Sequence, residues 1–150
     1  MIYVTPIGTV HTDAKEKIDH GWGQVQSKIV IRPDLKDGLS GLAQFSHIIV
    51  VTYLHEAEFI PEKHLVRRIR GRDDMPRLGI FCQRAKDRPN PIGITAVRLV
   101  GVSDDTVTVE GLDAIDGTPV LDIKPYNPAF DRRDDAVVPE WMDEIMREYF

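Results

Sequence analysis

The chain has 150 residues, enough for a single domain with one sizeable core. Its 42% hydrophobic and 29% charged residues are ordinary for a soluble protein, and no run of about 18 apolar residues exists to span a membrane. A net charge of −5 argues against a surface coated for indiscriminate nucleic-acid binding, and a single cysteine, Cys82, excludes an internal disulfide.

Residues 2–10 carry β-branched side chains around Pro6 and Gly8, which predicts a short or bulged edge strand. No basic n-region or small-residue cleavage site precedes it, so with the lone cysteine the expected location is a reducing cytoplasm. Residues 11–23 form a polar connection ending in Asp19-His20-Gly21-Trp22-Gly23. Paired glycines beside an indole mark either a tight turn closed by packing or a loop whose backbone approaches a planar ligand. Residues 27–32 alternate Ile29 and Ile31 with Lys28, Val30 and Arg32, a half-buried strand stopped by Pro33. Leu35, Leu39 and Leu42 recur at helical spacing, so a short amphipathic turn or helix is expected over 34–43 despite Gly38 and Gly41.

Residues 45–54 read as the clearest buried strand, with Ile48-Ile49-Val50-Val51 apolar on both faces. In an extended chain His47, Ile49, Val51, Tyr53 and His55 share one face. Its two histidines suit ligands or acid–base groups, or simply backbone partners, and their separation is no metal spacing. No metal site is expected. After Pro61, residues 62–69 can form a turn or two of helix, and 71–76 a link; so long a connection in a small domain is a binding loop, a lid or disorder. Strands are expected at 78–83, 93–102, 106–112 and 119–123, with Asp104-Asp105 and Asp116-Gly117 turning the last three into one another. Cys82 would then be a small core residue. Residues 138–149 close the chain as a helix, with Pro139 in its first turn and Trp141, Ile145 and Tyr149 on one stripe. Strands at short spacing with few helices predict a mainly antiparallel β-barrel or strongly curved sheet in a single domain, residues 1–150.

Charge is unevenly placed. Between residues 65 and 88 eight bases face three acids, whereas 131–150 holds three bases and seven acids. A basic middle suits a phosphate-facing patch or a salt-bridged, solvated face. The basic segment runs into Arg84-Ala85-Lys86-Asp87-Arg88-Pro89-Asn90-Pro91-Ile92-Gly93. Two prolines there fix φ and push Arg88 and Asn90 towards extended backbone, making a stiff polar arch. It is either a surface loop of solvated arginines or a rigid wall for an anionic or carboxylate-bearing ligand. A second polar concentration is 112–126, where Asp113 and Asp116 flank a turn and a turn aspartate commonly caps its own backbone. Dinucleotide-binding and phosphate-binding glycine loops, the serine nucleophile elbow and the zinc-protease motif are all absent. Residues alone leave the chemistry unassigned.

The motif Arg88-Pro89-Asn90-Pro91-Ile92-Gly93, together with Asp113-x-x-Asp116-Gly117-Thr118-Pro119-Val120-Leu121-Asp122-Ile123-Lys124-Pro125-Tyr126, resembles the TsaA-like (TrmO, formerly YaeB) family. Gly41-Leu42-x-x-Phe45-Ser46-His47, Gly79-Ile80-Phe81 and Arg84 resemble it too, in order and spacing. The resemblance implies an S-adenosylmethionine-binding β-barrel that works as a homodimer and methylates N6 of threonylcarbamoyladenosine in tRNA. Carried over by position, the cofactor contacts would be Gly21, Trp22, Gly23, His55, Glu56, Arg84, Ile94, Ala114, Ile115, Asp116 and Gly117. Asp116, His47 or His55 would assist proton removal, and Arg68, Arg70, Arg88 and Asn90 would face the tRNA. Residues 61–77 are not family-like in detail, and longer members carry a C-terminal extension. Methylation of a small-molecule acceptor, and a non-catalytic S-adenosylmethionine-binding module, are therefore the competing expectations.

Overall fold

A computed structural model describes residues 1–15 and 19–150. Among the described residues eight strands follow in order: β1 (Gly8–His11), β2 (Gln26–Ile31), β3 (His47–Tyr53), β4 (Val66–Arg68), β5 (Arg77–Gly79), β6 (Ile92–Ser103), β7 (Thr106–Glu110) and β8 (Pro119–Pro125). Six of them close into an antiparallel barrel in the order β1-β2-β7-β6-β3-β8, with β8 returning to β1. The expected mainly-β barrel is the observed one. Closure gives every barrel strand two neighbours, so no long ladder is left open.

Alternation decides which side chains fill the barrel. Ile29 and Ile31 of β2, Ile48 and Val50 of β3, Val97 and Leu99 of β6, and Val107 and Val109 of β7 all point inward and are buried. The long β6 runs past this core: its leading residues Ile92 and Ile94 are exposed and border a cleft. Asp104 adopts a left-handed backbone and turns β6 into β7, as its sequence predicts.

Several expected boundaries shift. The first strand begins at Gly8, while Ile2, Tyr3 and Val4 lie exposed outside it. Pro6 has no N–H, so ladder bonding starts at Ile7, whose N–H donates to Val120. The predicted helix over 62–69 is only α1 (Pro61–His64). The Leu65 carbonyl instead accepts the Ile80 N–H, and β4 pairs with β5 as a separate two-stranded sheet. The strand expected at 78–83 stops at Gly79, because the Gln83 N–H turns back to the Ile80 carbonyl. Cys82 therefore sits exposed on a 3-10 turn, not in the core. Asp116-Gly117 does not make a hairpin: it sends β8 across to lie between β1 and β3. A short α2 (Pro128–Asp131), capped by the Asn127 side chain, was not expected. The closing helix α3 (Glu140–Met146) is shorter than predicted, and residues 147–150 turn back towards the barrel.

Candidate functional site

One cleft of about 1050 Å³ opens between the start of β6, the proline arch, the loop after β3, the turn after β7 and the end of the chain. That is at the upper end of the roughly 300–1,000 Å³ typical of small-molecule sites.

The arch is held by its own charges. The Arg88 guanidinium donates to the carbonyls of Gln83 (2.8 Å) and Ala85 (3.2 Å). Asp87 accepts from the Glu58 N–H and from Lys86, and stands 3.8 Å from His64, which ties the arch to the loop after β3. Burial alone would raise the Asp87 carboxyl, but the Lys86 and Glu58 hydrogen bonds outweigh it and hold it below its ordinary value. At the other end the Leu54 N–H donates to the Pro91 carbonyl. Among the described residues Arg84 makes one hydrogen bond, from Nη2 to the Ile94 carbonyl at 2.7 Å. A guanidinium has five N–H groups, so most of its fork remains for a ligand.

Facing the arch, Ala114 and Ile115 follow Asp113 in the turn after β7. Asp113 accepts hydrogen bonds from the Thr95 hydroxyl of β6 and from the Tyr149 hydroxyl of the chain end. Burial and then the Asp113 charge push the Tyr149 phenol well above its ordinary value, so it stays a donor. The chain end is pinned by its backbone as well. The N–H groups of Gly21 and Trp22 donate to the carbonyls of Glu148 (2.9 Å) and Tyr149 (2.8 Å). Gly21 is left-handed, with φ of 74°, and a Cβ on Gly23 would meet the Phe150 carbonyl carbon at 2.6 Å. A tight turn closed against the chain end accounts for both glycines, Gly21 by its left-handed backbone and Gly23 by its close packing.

The cleft brings together many of the expected contacts: Trp22, His55, Glu56, Arg84, Ile94, Ala114 and Ile115, with Arg70, Arg88 and Asn90. It leaves others aside. Gly21 and Gly23 support the chain end without lining it, and Gly117 lies behind, against the His55 ring. Asp116 turns to the opposite side, accepting from the Thr12 N–H (3.0 Å) and Lys15 (2.7 Å). Those bonds hold its carboxyl below the usual range, which makes it a poor proton acceptor. His47 begins β3 while His55 follows its end, roughly 26 Å away at strand rise, and it bonds to Ser46 and edges Tyr126. Arg68 donates to the carbonyls of Met75 and Asp73, bracing the loop between β4 and β5. Asp113, Thr95, Tyr149 and the exposed Phe81 also line the cleft, although no sequence signal assigned them to it. The Trp141–Ile145–Tyr149 stripe was the available hint, because a tyrosine closing an apolar stripe needs a partner for its hydroxyl. Among the described residues no group of acidic, histidine and cysteine side chains could hold a metal ion.

The model of the tRNA-methyltransferase O N-terminal domain matches residues 16–132, well over half of the chain. The chain belongs to that family. A solved structure of TrmO from Pseudomonas aeruginosa superposes with a TM-score of 0.74 at 32% identity, covering 91% of this chain and 61% of that one. The chain thus spans less than two thirds of that structure. A probable S-adenosyl-L-methionine-binding protein of Pyrococcus abyssi is 36% identical over 96% of this chain and 78% of its own length. The human tRNA (adenine(37)-N6)-methyltransferase is 34% identical over 77% of this chain but only 25% of its own. The family match covers both motifs and the whole barrel from β2 onward, and α3 lies beyond it.

Proposed function

We propose that this TrmO-family chain is an S-adenosylmethionine-dependent methyltransferase that methylates N6 of threonylcarbamoyladenosine next to the tRNA anticodon, as a cytoplasmic homodimer. The observation that carries the reading is convergence. Trp22, His55, Glu56, Arg84, Ile94, Ala114 and Ile115 come from distant stretches of chain and line one cleft of suitable size.

The residues suit the cofactor chemically. Arg84 offers a fork for a carboxylate, while Ile94, Ala114 and Ile115 offer apolar surface for a purine. When bound, the cofactor supplies a methyl carbon already activated by its sulfonium. The protein then has mainly to position the acceptor nitrogen in line and exclude water. The arch, stiffened by Pro89, Pro91 and the Arg88 bonds, is a wall suited to that work. Of the three groups considered for proton removal, His55 is the one that lines the cleft. Arg67, Arg70, Lys86 and Phe81 border the same opening and suit the phosphates and bases of a splayed loop.

The test is transfer of a tritiated methyl group from the cofactor into tRNA that does or does not carry threonylcarbamoyladenosine. Label is expected only in the modified tRNA. Cofactor binding without label in any tRNA would overturn the tRNA assignment.

A further inference from the structure

The loop between β4 and β5 engages its arginines, with one exception. Arg68 donates to the carbonyls of Asp73 and Met75, and Arg72 pairs with Asp74 and reaches Glu144. The buried side chains of Ile69 and Met75 anchor the loop from within. Arg70 lies among them and lines the cleft, yet among the described residues its guanidinium donates no hydrogen bond. Its contact with Asp19 is 3.9 Å, past hydrogen-bond length, and that carboxylate is 68% exposed whereas the Arg70 side chain is only 23% exposed. The Tyr149 ring, 5.9 Å away, attracts the charge but accepts no conventional hydrogen bond. Among the described residues Ser27 Oγ is the only fully buried side-chain nitrogen or oxygen without a partner, so the Arg70 nitrogens keep an opening, and the cleft is what they border. The backbone is unusual as well: Arg70 is left-handed at φ 53°, and Gly71 follows at 66°. A non-glycine residue held in that region is strained, and such strain collects where ligands bind. A guanidinium mostly buried without a hydrogen-bond acceptor is costly until an anion arrives.

We propose that Arg70 is a specificity residue that binds the carboxylate carried by the threonylcarbamoyl group of the acceptor adenine. The proposal rests on the tRNA reading above and names the residue that distinguishes the modified base from a plain one. The threonine part of that group ends in a free carboxylate, and a guanidinium fork matches a carboxylate with two parallel hydrogen bonds. In the same reading Arg84 serves the carboxylate of the cofactor, so the acceptor needs a separate cation. Backbone phosphates stay at the surface of an RNA loop, whereas an anion that reaches a side chain this enclosed has to enter the cleft with its base. The bonds of Arg68 and Arg72 hold the loop around Arg70, so the fork is placed before the substrate arrives. A base without the carboxylate leaves that fork enclosed and unpaired, which is the basis of the discrimination.

Fluorescence anisotropy on the full chain, with S-adenosylhomocysteine present so that no methyl group moves, tests this with two tRNAs. One carries threonylcarbamoyladenosine next to the anticodon, and the other carries N6-(2-hydroxypropylcarbamoyl)adenosine, the same group without its carboxylate. The unaltered protein is expected to bind the first about ten- to a hundredfold more tightly. In Arg70→Asn that ratio should fall to near one; asparagine tolerates left-handed backbone, so the change removes the charge without adding strain. Arg70→Lys, with a point charge in place of the fork, should keep part of the ratio. Equal affinity of the unaltered protein for the two tRNAs would overturn the proposal, and needs no variant to fold. If Arg70 meets a backbone phosphate instead, Arg70→Asn weakens both tRNAs alike and the ratio survives, which overturns it too. Binding of neither tRNA by the unaltered protein would defeat the tRNA reading itself and the proposal with it, a result distinct from equal binding.

Discussion

Arg88, Arg68 and Asp116 each carry a full charge, and each spends it on the fold. Arg88 closes the arch through two carbonyls, and Arg68 closes the β4–β5 loop in the same way. Replacing Arg88 by alanine leaves those carbonyls without their charged donor, so stability measured in urea should fall by about 1–3 kcal/mol. Cofactor affinity should drop with it, since the arch is a wall of the cleft. Lysine at position 88, with one point charge in place of a fork, should recover only part of the loss. Asp116 makes a different prediction. Its folded carboxyl titrates below its ordinary value because Lys15 and the Thr12 N–H favour the charged form. Its contribution to stability is therefore present above the ordinary carboxylate range and is lost as pH falls through the lowered folded value. Carboxyl NMR titration should show this midpoint moving up towards the ordinary value in Lys15→Ala. An unmoved midpoint would mean that the pair is not formed in solution.

Among the elements, the chain end behaves unlike an appendage. Residues after α3 deliver two carbonyls to the N–H groups of Gly21 and Trp22, and the Tyr149 hydroxyl to Asp113. Because Gly23 lies against the Phe150 backbone, a methyl group there has no soft neighbour to displace. Gly23→Ala should lower stability by about 1–3 kcal/mol through overpacking and should loosen residues 147–150. Hydrogen exchange would register this as faster exchange at the amides of Gly21 and Trp22. Arg70 belongs to the same cluster: in left-handed backbone, with φ of 53°, its guanidinium stands 5.9 Å from the Tyr149 ring centre. A non-glycine residue in that region is strained by roughly 1–2 kcal/mol, and the attraction to the ring helps offset it.

For the whole molecule, the uneven charge resolves into two populations. Arg72 pairs with Asp74 and reaches Glu144 of α3, so part of the basic segment is neutralised by the acidic end of the chain. Arg67, Arg70 and Lys86 line the cleft opening, although Arg70 also stands 3.9 Å from Asp19 and Lys86 is paired with Asp87. The salt-bridged reading of the basic stretch thus holds for Arg72, and the residues at the cleft opening are those that a phosphate-facing reading would use. If the opening receives RNA, reversing Arg67 and Arg70 to glutamate should weaken tRNA binding most at low salt. The slope of log affinity against log salt should flatten as well, by about 0.7–0.9 for each phosphate that the protein no longer neutralises. Binding by anisotropy that keeps its slope would place the RNA elsewhere.

The barrel was legible in the sequence because burial in a sheet has period two. Ile29, Ile31, Ile48 and Val50 announce their inward faces whatever their partners are. The proline arch was legible for a similar reason: proline sets φ locally. The turn after β7 was legible as a turn, but not in its destination, since β8 finds β1 and β3 through tertiary packing. What the tertiary structure alone decided is which charges are used up and which remain. Lys15 meets Asp116 across 101 positions, and Tyr149 meets Asp113 across 36, and no local pattern reports either distance. A side chain's chemistry belongs to the residue, but whether that chemistry is free for a ligand depends on partners brought in by the closing of the barrel and the return of the chain end. That is why Arg84 stands open in the cleft while Arg88, its near neighbour in the arch, and Asp116 are occupied.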